Sequence, residues 1–339
     1  QVLIKQLPDS INTDNAEINF IQVNDSTAYF TVISETQDVL VSNIYSSNFL
    51  NGEWQAKQFT KYNSDILNTA NISFLDSGRV FLTACGQELL DCEILYTEHK
   101  NPQVFFEISA LNSDNFFNTQ PSIALHNFQK VLYFVSDRKG GFGGLDIWLT
   151  IIDINGNFGV PINAGSKINS SADEVTPFYN RHSNMIYFSS NRENGTGGFD
   201  IYKAEGSLNY WSKPLNVEEL NTTSDDLYAT FYDENNGYFS SNRKGVNFNS
   251  DKSNYCCNDI FSFQYTKPSF DTIINPTEIH KYLPLDLYFH NDEPDSRTMN
   301  IKTNKTYKEA YISYFMMKSD YENKNPNLKN FFKDILQNN

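Results

Sequence analysis

The chain has 339 residues, 39% of them hydrophobic, with 41 acidic against 26 basic side chains and a formal net charge of −15. That length and apolar share allow a real core in one large domain or two. The acidic balance leaves no basic stripe to release counterions from nucleic acid and disfavours an anionic membrane surface. No stretch approaches the roughly 20 apolar residues of a membrane-spanning helix. A chain that opens on Gln1 rather than Met is expected to have lost a targeting segment or to have been cut from something longer. The apolar residues are unusual in kind, with 27 Phe and 20 Tyr against 4 Met. They cluster with β-branched residues in short runs between Asn, Ser, Asp and Gly, which predicts many short strands joined by polar turns.

In chain order, the first element is "VLIKQLPDSINTDNAE" (2–17), which aligns with "GVPINAGSKINSSADE" (159–174) and "SKPLNVEELNTTSDD" (212–226). Strands follow around Phe30 in "TAYFTVI" and Phe81 in "RVFLTAC". Three clearer units come next: "VLYFVSDRKGGFGGLDIWL" (131–149), "MIYFSSNRENGTGGFDIYK" (185–203) and "NGYFSSNRKG…YCCNDIFSF" (236–263). Each reads strand, Ser-Asp/Asn-Arg, loop, Asp-Ile-aromatic. The phenylalanines recur at 30, 81, 134, 188 and 239, and a second marker, an Asn before each strand pair, falls at Asn12, Asn68, Asn118, Asn169 and Asn221.

A period of about 50 residues with three or four short strands per unit is the signature of propeller blades. The expected fold is therefore an all-β, five-bladed β-propeller over 1–265, with six blades as the alternative. Residues 2–7 follow one strand set and precede the next in the alignment. They are expected to form the outer strand of the last blade, closing the ring and removing an exposed sheet edge.

The Gly-rich loop at 140–144 runs into a strand, not a helix N-terminus, so a phosphate cradle is excluded. Arg138, Arg192 and Arg243 are read as structural hairpin braces, each reaching Asp146, Asp200 or Asp259 across its loop or in the next blade. In the second unit Cys85 is expected at the Arg position and Glu93 at the Asp position. Cys85 and Cys92 either close that hairpin by a disulfide, doing the work of the ion pair, or stay as two free buried thiols. The adjacent Cys256 and Cys257 are candidates for a vicinal disulfide. The cysteine spacing lacks the CxxC pattern of a metal site, and no metal or cofactor is expected.

The strand, Ser-Asn/Asp-Arg, Gly-Gly-x-Asp-Ile-Tyr/Trp pattern resembles the TolB-type β-propeller repeat of periplasmic bacterial proteins. "CCNDIFSF" (256–263) is similar to the last blade of those repeats in OmpA-family proteins of the Bacteroidetes. Pro268, Pro276 and Pro284 mark 266–283 as a linker. "LYFHNDEP" then resembles the first strand of an OmpA-like domain, and "NKTYKEAYISYFMMKSDYE" (304–322) its inserted helix. Tyr307, Tyr311, Tyr314, Phe315 and Lys318 keep helical spacing, and Leu328, Phe331, Phe332 and Ile335 suggest a second short helix. The segment 284–339 ends before the Asp and Arg with which that domain grips peptidoglycan, so no wall-binding residue is assigned.

No G-x-S-x-G elbow or H-E-x-x-H motif occurs, and the five histidines are scattered. Five-bladed glycosidases place carboxylates in the central funnel. The candidates Glu17, Asp173, Glu174, Asp225 and Asp226, however, sit at one repeat phase, which favours turn or capping roles. The resemblance implies a non-catalytic scaffold of the periplasm, associated with the outer membrane, whose partners are envelope proteins of a type IX secretion or outer-membrane assembly machine. In fuller relatives it is tethered to peptidoglycan. The alternative is a five-bladed carbohydrate-active enzyme or glycan-binding module that uses the central funnel.

Overall fold

The computed structural model describes residues 1–266 except 37–38, 76–77, 87–90, 114, 127–128 and 247–256. The chain divides into Gln1–Pro268 and Ser269–Asn339. The linker and the C-terminal helices expected over 266–339 thus lie outside the described residues, apart from Thr266.

Among the described residues the short aromatic and β-branched runs form 22 strands. The first, β1 (Val2–Gln6), belongs to the last sheet. Blade one is β2 (Ala16–Asn24), β3 (Thr27–Thr36) and β4 (Val39–Leu50), with β5 (Glu53–Trp54) and β6 (Gln58–Phe59) both on β4. Blade two is β7 (Asn68–Phe74), β8 (Arg79–Cys85), β9 (Glu93–Glu98) and β10 (Asn101–Glu107). Blade three is β11 (Asn118–His126), β12 (Gln129–Ser136), β13 (Asp146–Ile152) and β14 (Ile162–Asn163). Blade four is β15 (Glu174–Asn180), β16 (Met185–Ser190) and β17 (Asp200–Ser207), with β18 (Tyr210–Trp211) and β19 (Leu215–Asn216) on β17. Blade five is β20 (Asp226–Phe231), β21 (Asn236–Ser241) and β22 (Asp259–Tyr265), completed by β1.

The first strand of each blade, β2, β7, β11, β15 and β20, packs on the next one round the ring, and β20 packs on β2. The five-bladed propeller is therefore closed. The N-terminal strand runs antiparallel to β22 from Val2↔Tyr265 to Gln6↔Phe261, as the alignment of 2–17 predicts.

Each blade buries both faces, so the core is a set of clusters between neighbouring blades. Phe30, Phe134, Phe188 and Phe239 are fully or almost fully buried and face the preceding blade. In the second blade the phase is shifted by one. Leu82 faces blade one, whereas Phe81 faces blade three.

The asparagine marker also needs correction. Asn12, Asn63, Asn112, Asn169 and Asn221 are the equivalent residues, not Asn68 and Asn118. Each side chain accepts from and donates to the backbone of one isoleucine, respectively Ile260, Ile44, Ile94, Ile147 and Ile201. The amide of Asn thus stands in for a strand backbone and ties the turn entering each blade to the third strand of the blade before. Each turn would otherwise leave backbone groups unpaired.

All five inner strands carry a β-bulge at the same level, with Asn19, Asn71, Gln120, Thr176 and Tyr228 at φ 52 to 56°. Positive φ is costly for Thr and Tyr. The turned amides are used: Asn71 donates to Thr31 Oγ1 (2.9 Å), Gln120 to Thr83 Oγ1 (2.9 Å), Thr176 to Gln120 Oε1 (2.7 Å) and Tyr228 to Thr176 Oγ1 (3.3 Å). The bulges bend the strands and stitch blades two to five each to its predecessor around the axis.

Candidate functional site

The axis is the first place to look in a ring of this kind, and here it is filled. Asn19, Asn71, Gln120, Thr176 and Tyr228 converge on a cavity of about 20 Å³, room for a water and not for a sugar ring. Gln120 Nε2 donates to Tyr228 Oη across the axis at 3.2 Å. Burial pushes the Tyr228 phenol well above its usual range. None of the described residues lining this cavity is a carboxylate.

The carboxylates at the entry of the inner strands are committed to local structure, as the shared phase suggests. Glu17, Glu174 and Asp226 are fully buried. Each accepts from the backbone N–H and the hydroxyl of the residue four before it, namely Thr13, Ser170 and Thr222. Each also meets one cation: Lys57 to Glu17 at 2.8 Å, Arg192 to Glu174 at 3.0 Å and Arg243 to Asp226 at 2.5 Å.

These pairs correct the partners expected for the arginine braces. Arg192 and Arg243 reach the inner-strand acids of their own blades, not Asp200 and Asp259, and Arg138 does not pair with Asp146. The hairpin aspartates instead fold their own loops or receive the outer strand. Asp146 accepts Phe142 N–H (2.6 Å), Gly143 N–H (3.1 Å) and Asn163 Nδ2 (2.9 Å). Asp200 accepts Thr196 N–H, and Asp259 accepts Gln6 Nε2 from the closing strand β1.

Blade three departs from this scheme. Its inner-strand residue is Asn118, so Arg138 donates to a neutral amide oxygen at 2.7 Å and to Leu111 O at 3.0 Å. Its guanidinium lies against the rings of Phe116, Phe134 and Trp148, at 4.6, 4.8 and 5.3 Å from their centroids. Burial pulls its pKa down to about 10.

Further departures gather at the same junction. Between blades three and four, Leu145 N–H donates to Asp173 Oδ1 (2.8 Å) and Asp173 N–H to Asn191 Oδ1 (2.8 Å). Between blades four and five the same latch is Phe199, Asp225 and Asn242, again at 2.8 Å for both bonds. The loops press so closely that a Cβ on Gly143 would lie 2.0 Å from Ala172 O, and one on Gly197 2.1 Å from Ser224 O. Between blades two and three, Phe117 stands where the latch has Asp, Asp137 where it has Asn, and Asp91 where the closing loops have Gly144 and Gly198. The bond Phe117 N–H to Asp137 Oδ1 (2.7 Å) survives, but a phenyl replaces the bridging carboxylate.

The result is a cleft of about 640 Å³ lined by Asp91, Cys92, Glu93, Phe116, Phe117 and Asp137, with Ser113 and Asn115 at its side. That is the size of a ligand site, with aromatic walls and convergent polar groups. Cys92 is disulfide-bonded to Cys85, with Cα atoms 4.0 Å apart, as one of the two expectations held. By the strand register Cys85 takes the place of Asp137, Asn191 and Asn242, and Gly86 that of the arginines. Cys257 is also disulfide-bonded, and Cys256 lies outside the described residues. Among the described residues no group of three His, Cys, Asp or Glu side chains is placed to hold a metal ion.

No family model and no curated protein matches the chain. Among solved structures it resembles a thermostable family-43 glycoside hydrolase, at 9% identity over 77% of this chain and 94% of that one, with a TM-score of 0.51. It also resembles an endo-arabinase from Bacteroides thetaiotaomicron, at 13% identity over 78% of this chain and 98% of that one, again with a TM-score of 0.51. At such identities these likenesses establish the ring. They correct the expectation of a non-catalytic scaffold without enzymatic activity to this extent, that the two solved propellers named are a glycoside hydrolase and an endo-arabinase rather than scaffold proteins.

Proposed function

We propose that this protein is carbohydrate-active and takes its glycan in the cleft between blades two and three. The observation that carries this reading is the cleft itself, in which two phenylalanines and three carboxylates open on one volume of about 640 Å³ in a five-bladed ring. Phe116 and Phe117 offer flat apolar faces to the C–H side of a pyranose or furanose. Asp91, Glu93 and Asp137 offer acceptors for its hydroxyls. Cleavage of a glycosidic bond asks for two carboxyl groups in different roles, one protonating the leaving oxygen and one acting as base or nucleophile. Three carboxylates in one cleft can supply both. This reading prefers the cleft to the central funnel of the alternative, because the cavity between the inner-strand bulges holds only about 20 Å³.

The Cys85–Cys92 disulfide supports export to an oxidising compartment such as the periplasm. The test of function is release of reducing ends from arabinan, xylan and β-glucan oligosaccharides, with binding followed separately by calorimetry. Release should be lost in Asp137→Asn and Glu93→Gln while binding persists. Neither binding nor release with any glycan would contradict the proposal.

A further inference from the structure

The charge of the cleft narrows the glycan further, an inference that rests on the carbohydrate reading above. Its lining contains Asp91, Glu93 and Asp137 and no lysine or arginine among the described residues. Arg138, 4.6 Å from the centroid of Phe116, donates to Asn118 Oδ1 and Leu111 O. Its guanidinium thus has neutral acceptors, and of the three cleft acids its charge acts on the adjacent Asp137. The chain as a whole carries −15.

In the two latched junctions the corresponding positions hold a single carboxylate, Asp173 or Asp225, whose charge is spent on Leu145 or Phe199 N–H and on the amide of Asn191 or Asn242. At the open junction the phase carries two carboxylates in place of that one, Asp91 for a glycine and Asp137 for an asparagine, while the latch acid has become Phe117. The charge has thus moved from the latch to the walls of the cleft.

We infer that the cleft admits neutral or amine-bearing sugars and rejects uronate and sulfated ones. A ligand carboxylate entering it would meet an excess of like charge, the carboxylates of the lining against the one neighbouring guanidinium. A neutral sugar meets no such repulsion and can donate hydroxyl protons to Asp91 and to Asp137, and an ammonium group gains a charge-assisted bond.

The test is calorimetric titration of the full chain with neutral tetrasaccharides (β-1,4-glucan and arabinan), a glucosamine tetramer and a galacturonate tetramer at low and high salt. At least one neutral or amine-bearing tetramer is expected to bind, with the galacturonate tetramer weaker by about tenfold or more at low salt, the scale of one like-charge contact near a protein surface. The gap should narrow with salt. The double variant Asp91→Gly/Asp137→Asn introduces the residues that the two latched junctions use at these positions (Gly144 and Gly198, Asn191 and Asn242), keeps an acceptor for Phe117 N–H, and should also narrow the gap. Galacturonate binding as tightly as the neutral sugars would overturn the inference and leave the carbohydrate reading standing. Absence of binding in every series would overturn both.

Discussion

The junctions of blades three to five and the junction of blades two and three are built from the same repeat and end differently. In the first, Asp173 and Asp225 latch one blade to the next, and paired glycines let the loops close without a gap. In the second, a phenylalanine at the latch and an aspartate at the glycine leave a cleft. At the two latched junctions the repeat residues meet their repeat partners and the loops close on each other; at the junction of blades two and three, where several are exchanged together, a cleft opens. Repetition thus specifies the ring, and function is to be sought where it breaks.

The largest expected effect sharpens this contrast through the arginines. Arg192→Met strands the fully buried Glu174 without its cation and should cost about 3 kcal/mol, the low end for a broken buried pair because Ser170 and Ser190 still donate to the carboxylate. Arg138→Met, whose acceptors are neutral, should cost about 1 to 2 kcal/mol. Equal losses in urea unfolding would mean that Asn118 and Glu174 are equivalent and that the contrast is false.

Opening the Cys85–Cys92 loop, by Cys85→Ser/Cys92→Ser, should lower stability by about 2.5 kcal/mol through chain entropy. The same variant should weaken glycan binding, since Cys92 lines the cleft. Binding untouched by it would remove the disulfide from the site.

A smaller effect belongs to the sealed side. His126, its ring tilted against that of Tyr179 and bonded to Tyr133 Oη at 2.8 Å, is held neutral by burial, its pKa lowered to about 4. Between pH 6.5 and 4 the unfolded chain binds the proton that the folded ring refuses, so stability should fall as pH falls through that window, by on the order of 1 kcal/mol. Thermal unfolding of His126→Phe should flatten this slope, and an unchanged slope would assign it elsewhere.

The fold was legible because aromatic and Asn markers recur with one period, and the closing strand because residues 2–17 align with later inter-blade segments. The phase error in blade two has a physical cause. Phe81 and Leu82 are both apolar and both buried, one on each face, so the sequence does not say which of them fills the place of Phe134. The arginine partners were misread because the nearest acid in the hairpin looks available, whereas the true partners, Glu174 and Asp226, lie 18 and 17 residues upstream at the inner strand. The cleft was missed for a related reason. Six residues separate Asn112 from Asn118 but five separate Asn169 from Glu174, so that Asp137 stands with Asn191 in the Ser-Asp/Asn-Arg pattern but only the three-dimensional register aligns Phe117 with Asp173. Once aligned, the exchange of Asp for Phe and Asn for Asp is visible in the sequence itself.

The central claim, that the missing latch creates the glycan site, is tested most directly by restoring it. The variant Phe117→Asp/Asp91→Gly/Asp137→Asn gives the open junction the latch acid, its amide donor and the glycine of the sealed ones, and its affinity for a neutral oligosaccharide that the native chain binds is measured by calorimetry, with thermal unfolding as the control for folding. The account predicts a ring of undiminished stability that has lost binding by about a hundredfold or more, the loss expected on removing an aromatic platform and closing its pocket. A folded variant that binds the sugar as tightly as the native chain would contradict it.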